Sequence, residues 1–105
     1  MPTLPPISAR ETYQLLKDVA LGVRSMSADG EPRWHELQSG AIAVWVDDWQ
    51  VTISNEGGEV GHCLACTAPD GRVADEQTWS RYGTNPVELL SRWEREQLER
   101  RLREC

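Results

Sequence analysis

At 105 residues, 39% of them hydrophobic, the chain is expected to be one domain, 1–105, able to bury a core without disulfide or metal staples. Its net charge of −6 disfavours direct binding to nucleic acid, which depends on neutralising phosphates, and its three cysteines, an odd number, argue against an oxidised, secreted framework. No apolar run approaches the roughly 20 residues that cross a bilayer, and the start MPTLPPISAR lacks the features of a secretory signal, so a cytoplasmic protein without a membrane partner is expected.

Residues 1–7 contain three prolines and are predicted to form an extended arm. Ser8 followed by Glu11 has capping-box spacing and opens a helix. Tyr13, Leu16, Val19, Ala20 and Val23 give that helix an apolar stripe, and Gly22 is a suitable stop. From Arg24 to Gly40 the pattern is lost. Residues 28–32 read as a turn, with Trp34 and Leu37 pinning the connection to the core and a short edge strand expected around them.

The run from Ala41 to Ser54 predicts a hairpin turning at Asp47-Asp48, with Val46 opposite Trp49, Val44 opposite Val51 and Ile42 opposite Ile53 on one apolar face. The other face carries Ala41, Ala43, Trp45, Gln50, Thr52 and Ser54, and a slip of one residue would exchange the two sets. Asp-Asp is a weaker turn than Asp-Gly because neither residue escapes the steric cost of positive φ. Glu59 to Thr67 follows as a third strand, Ala68-Pro69-Asp70-Gly71 as a turn and Arg72 to Asp75 as a short fourth strand. Residues 77–84 look irregular. Asn85-Pro86-Val87-Glu88 then opens a C-terminal helix over 86–104, with Val87, Leu90 and Trp93 turned to the core. The expected fold is therefore α+β: an N-terminal helix, a three- to four-stranded antiparallel β-meander and a C-terminal helix, the helices sharing one face of the sheet.

The segments WQVTISN, Cys63-Leu64-Ala65-Cys66, APDGR, RYGTNPVELLSRWE and QLERRL, with SARETYQLLKDVALGVRSM before them, together resemble an uncharacterised family of small acidic proteins from pseudomonad bacteria. The resemblance covers most of the chain. It implies a shared fold and brings no catalytic residue with it.

Cys63 and Cys66 suggest a redox pair or half of a zinc site, with His62, His35 and Cys105 as further ligands. Yet no helix begins at the pair, the spacings suit no four-ligand site, and on a regular strand the two cysteines point to opposite faces. His62 has no orienting carboxylate, and Asp47, Asp48 and Asp70 lack a calcium-loop pattern. No cofactor and no enzymatic activity are expected. Trp49 and Trp93 fall at core positions, whereas Trp45 lies on the mixed face beside Gln50 and Thr52, where it either anchors a partner or is covered by the Trp34 connection.

Residues 47–76 hold seven acids against one base, Arg72, so a partner protein meeting this end should be basic. The function expected is thus a non-enzymatic binding module acting through Trp45, Asp47, Asp48, Gln50, Thr52 and Asp70. One form of it is an inhibitor that covers a basic, nucleic-acid-binding surface; the alternative is a thiol or zinc protein using Cys63 and Cys66. Leu98 and Leu102, rotated from the Leu90/Trp93 face, would support at most a weak homodimer of an otherwise monomeric chain.

Overall fold

The computed structural model describes residues 6–28, 34, 39–81 and 83–104. Its strands are β1 (Met26–Ala28), β2 (Ser39–Val46), β3 (Trp49–Glu56), β4 (Glu59–Thr67) and β5 (Val73–Asp75), and they form one antiparallel sheet in chain order. The β2–β3 hairpin has the register its alternation predicts, with Ile42 opposite Ile53, Val44 opposite Val51 and Val46 opposite Trp49. Asp47 carries the cost of the two-residue turn, at φ 53°.

The sheet has one strand more than the sequence predicts, because β1 pairs with Val44–Val46 at the edge. Three residues are too short a run for periodicity to reveal. The edge strand expected around Trp34 to Leu37 falls mostly outside the described residues, as do residues 1–5 of the arm and residues 29–32 of the turn. Trp34 itself is buried, and its carbonyl accepts a hydrogen bond from Asn55 Nδ2 at 3.1 Å.

The β4 strand departs from simple alternation. Val51, Ile53 and Asn55 are buried at every second residue of β3, but their partners on β4 are Cys66, Cys63 and Val60, at every third. Two register shifts absorb the extra residues, as β-bulges do. Cys63 and Cys66 therefore share the core face, which corrects the expectation that they point apart.

Helix α1 (Ala9–Ala20) begins as predicted, with Ser8 Oγ accepting from Glu11 N at 3.0 Å, and ends before Gly22, whose φ is 79°. It buries Leu15, Leu16, Val19 and Ala20. Val23 lies beyond that stop and is exposed, not part of the stripe. The segment expected to be irregular contains a short helix, α2 (Glu76–Arg81), capped by Asp75, which accepts from both the backbone and the hydroxyl of Thr78. Trp79 on α2 is buried and donates its indole N–H to Ile7 O at 3.1 Å.

The largest correction concerns the C-terminal helix, which is not continuous over 86–104. Pro86–Leu89 is a 3₁₀ turn, Leu90 is extended with ψ 140°, and a new helix, α3 (Arg92–Glu104), starts after Ser91. Ser91 Oγ accepts from Glu94 N at 3.1 Å while Glu94 Oε1 accepts from Ser91 N at 2.7 Å, a reciprocal capping box. This break re-aims the helix. Leu98 and Leu102 are 0% exposed, whereas Trp93, expected in the core, is 53% exposed. The basis for self-association through Leu98 and Leu102 is thereby removed, because both leucines fill the chain's own core. That core lies between the sheet and a layer in which α1 and α3 pack together.

Candidate functional site: the open face of the sheet

The pairing of all five strands places Ser27, Trp45, Gln50, Thr67 and Val73 in one row, and Ala43, Thr52, Ala65 and Asp75 in the next. These side chains alternate with the buried set, so they point away from the helices. Trp45 is 39% exposed and Val73 59% exposed, while Gln50 and Thr52 are half-buried between them. Trp34 itself does not cover Trp45, since it belongs to the core on the other side of the sheet and is held there by Asn55; the rest of that connection, residues 29–33 and 35–38, lies outside the described residues.

The acids expected to join this surface divide into two kinds. Asp47 pairs with Arg24 at 3.1 Å, and Arg24 also meets Asp18 on α1 at 3.2 Å. Asp70 pairs with Arg72 at 2.9 Å, and Arg72 reaches Glu11 on α1 at 3.1 Å. The Arg72 backbone N–H and then its guanidinium hold the Asp70 carboxyl below the usual carboxylate range. Asp47 and Asp70 thus tie two sheet turns to α1.

Asp48, Glu56, Glu59, Asp75 and Glu76 are exposed, and none of the five forms an ion pair with an arginine or lysine among the described residues. Asp48 stands at one end of the strands, Glu56 and Glu59 at the other, and Asp75 and Glu76 along the β5 edge. Asp75 is kept ionised by the backbone N–H and hydroxyl of Thr78. Glu56 and Glu59 are directly paired across β3 and β4, an arrangement that is destabilising for like charges, and His62 Nδ1 lies 3.6 Å from Glu56 Oε2. The face is therefore bordered by negative charge at both strand ends and along the β5 edge, and none of these carboxylates pairs with an arginine or lysine among the described residues. Val73 and Asp75 are the members that the sequence reading missed, although the triplet Val73-Ala74-Asp75 carries the period-two pattern that places both outward.

The thiols are arranged differently. Cys63 and Cys66 are buried, and His62 lies on the surface with Glu56 instead of joining them. Burial, with a smaller effect from Cys66, raises the Cys63 thiol well above its ordinary value. Burial likewise pushes the Cys66 thiol up to about 11. At neutral pH both are protonated, a form poorly suited to nucleophilic attack. Among the described residues no group of three His, Cys, Asp or Glu is placed to hold a metal; His35 and Cys105 lie outside them.

A pH dependence follows. Above about 9, the ordinary thiol value, an unfolded chain releases these protons while the folded chain retains them, so stability should fall as pH rises from there towards the folded values. Urea unfolding at pH 7, 9 and 10 checks this. The Cys66→Val variant should lose less stability across that interval than the parent chain.

A cleft of about 530 Å³ on the helical side is lined by Ser8, Ala9, Arg10, Tyr13, Thr84 and Leu89. Its serine hydroxyl is engaged in capping α1, and among the described residues no histidine or carboxylate lies in the lining to activate it. No helix among the described residues is long and apolar enough to cross a membrane.

Residues 6–104 match a family described as a domain of unknown function, DUF7693, and the chain belongs to that family. Nothing among curated proteins or solved structures matches it.

Proposed function

We propose that this chain is a non-enzymatic binding module that takes a basic protein partner on the open face of its sheet. The observation that carries this reading is Trp45, a residue 39% exposed on a face that also carries Gln50, Thr52, Ala65 and Val73, with five exposed acids at both strand ends and along the β5 edge. A tryptophan in that position suits the centre of an interface, since truncating such an anchor typically costs about 2 kcal/mol or more of binding energy. The surrounding acids would speed encounter with a basic surface and exclude acidic ones. A specific form is an inhibitor that covers a nucleic-acid-binding surface on its partner, an action that needs no active site of its own.

The test is capture from lysate of the source organism on immobilised parent chain, Trp45→Glu and Trp93→Ala. A basic protein retained by the parent and by Trp93→Ala, and lost from Trp45→Glu, is the expected result. Equal retention by all three would contradict the assignment of this face.

A further inference from the structure

We infer that the partner presents a basic amphipathic α-helix, laid lengthwise over β3 and β4 between Trp45 and Val73. This rests on the reading above that the open face receives a basic partner. Trp45 on β2 and Val73 on β5 occupy the same row three strands apart. Strands lie about 4.8 Å from one another, so these two exposed side chains stand roughly 14 Å apart. An α-helix with its side chains is about 10–12 Å across and fits between them. The floor is formed by Gln50, Thr67, Thr52 and Ala65, of which only the half-buried Gln50 is long. Eight residues of β3 give a floor of about 26 Å, the length of roughly 17 helical residues, of which β5, three residues long, walls about 10 Å.

Charge complementarity selects the rest of the occupant. Asp48 lies at one end of the strands, Glu56 and Glu59 at the other, and Asp75 and Glu76 along the β5 side, so lysines or arginines at both ends of the helix and along one flank would meet carboxylates. The alternative of an added β-strand is opposed along the β4–β5 edge. There, Cys63 N–H and C=O are bonded to the Asn85 side chain at 2.9 and 2.8 Å, Val60 N donates to Glu99 at 3.1 Å, and Val73 O accepts from Ile7 N at 3.4 Å. At the other edge, β1 offers three residues, and residues 39–43 of β2 extend beyond it without a pairing strand on that side among the described residues.

The test titrates the full chain into two fluorescently labelled leucine/lysine peptides of about 18 residues and equal charge, one stapled as an amphipathic helix and the other interrupted by two central prolines. The stapled helix should bind at least about tenfold more tightly than the interrupted peptide, Trp45→Ala should weaken it by about tenfold or more, and Trp93→Ala should change it by less than about twofold. Equal binding of the two peptides, still dependent on Trp45, would overturn the helical occupant and leave the basic-partner reading standing. Binding that ignores Trp45, or no binding by either peptide, would overturn both.

Discussion

Leu98→Glu should leave no cooperative unfolding transition at 25 °C, while Trp93→Glu on the same helix should shift stability by less than about 1 kcal/mol. Leu98 is 0% exposed and lies on the α3 stripe with Leu102, facing the core shared with α1 and the sheet. Replacing it removes about 2–3 kcal/mol of apolar burial and leaves a carboxyl group with no partner in a dry site, at a further cost of several kcal/mol. A domain of this size has a total stability of about 5–15 kcal/mol, so the sum approaches or exceeds what holds it together. Trp93 has no such role, being 53% exposed. Urea unfolding followed by circular dichroism distinguishes the two variants. A well-folded Leu98→Glu chain that has merely lost an ability to dimerise would mean that α3 is rotated as a continuous 86–104 helix would place it.

Asn85→Ala should destabilise the fold by about 2–4 kcal/mol, more than an ordinary helix cap contributes. The Asn85 side chain accepts from Val87 N at 3.1 Å and from Cys63 N at 2.9 Å, and donates to Cys63 O at 2.8 Å. The amide acts as one residue of a missing strand, closing the edge of β4 where β5 no longer pairs with it. Alanine would lose all three bonds and leave the Cys63 peptide unpaired beside a bulge. Asn85→Asp keeps the oxygen that accepts from Val87 N and Cys63 N but turns a second carboxylate oxygen towards Cys63 O, so it too should destabilise the fold. A midpoint unchanged within about 0.5 kcal/mol for Asn85→Ala would show that the edge is closed by something else.

These two residues mark where the sequence was legible and where it was not. The hairpin, the span of β4, the start of α1 at Ser8 and its stop at Gly22 are all encoded in local alternation or capping chemistry, and they stand as read. Asn85 was legible as a cap, but its bonds to Cys63 join residues 22 apart, which spacing along the chain cannot show. The bulges in β4 hide behind a three-residue burial interval that resembles neither strand nor helix periodicity. The break at Leu90 had a local signal, Ser91-Arg92-Trp93-Glu94, which the stronger-looking Asn85-Pro86 start obscured. Trp45 was placed correctly from alternation alone. Asp47 and Asp70, grouped with it by charge, are instead bound to Arg24 and Arg72, pairings that serve to hold α1 against the sheet.

The open face is tested most directly by mapping backbone and indole N–H chemical shifts of the full chain while the stapled basic helix, or the captured partner, is added. The largest changes should fall on Trp45, Thr52, Ala65, Thr67, Val73 and Asp75, including the Trp45 indole. Changes concentrated instead on Tyr13, Leu89 and Trp93, with Trp45 unmoved, would contradict the assignment and place binding on the helical side.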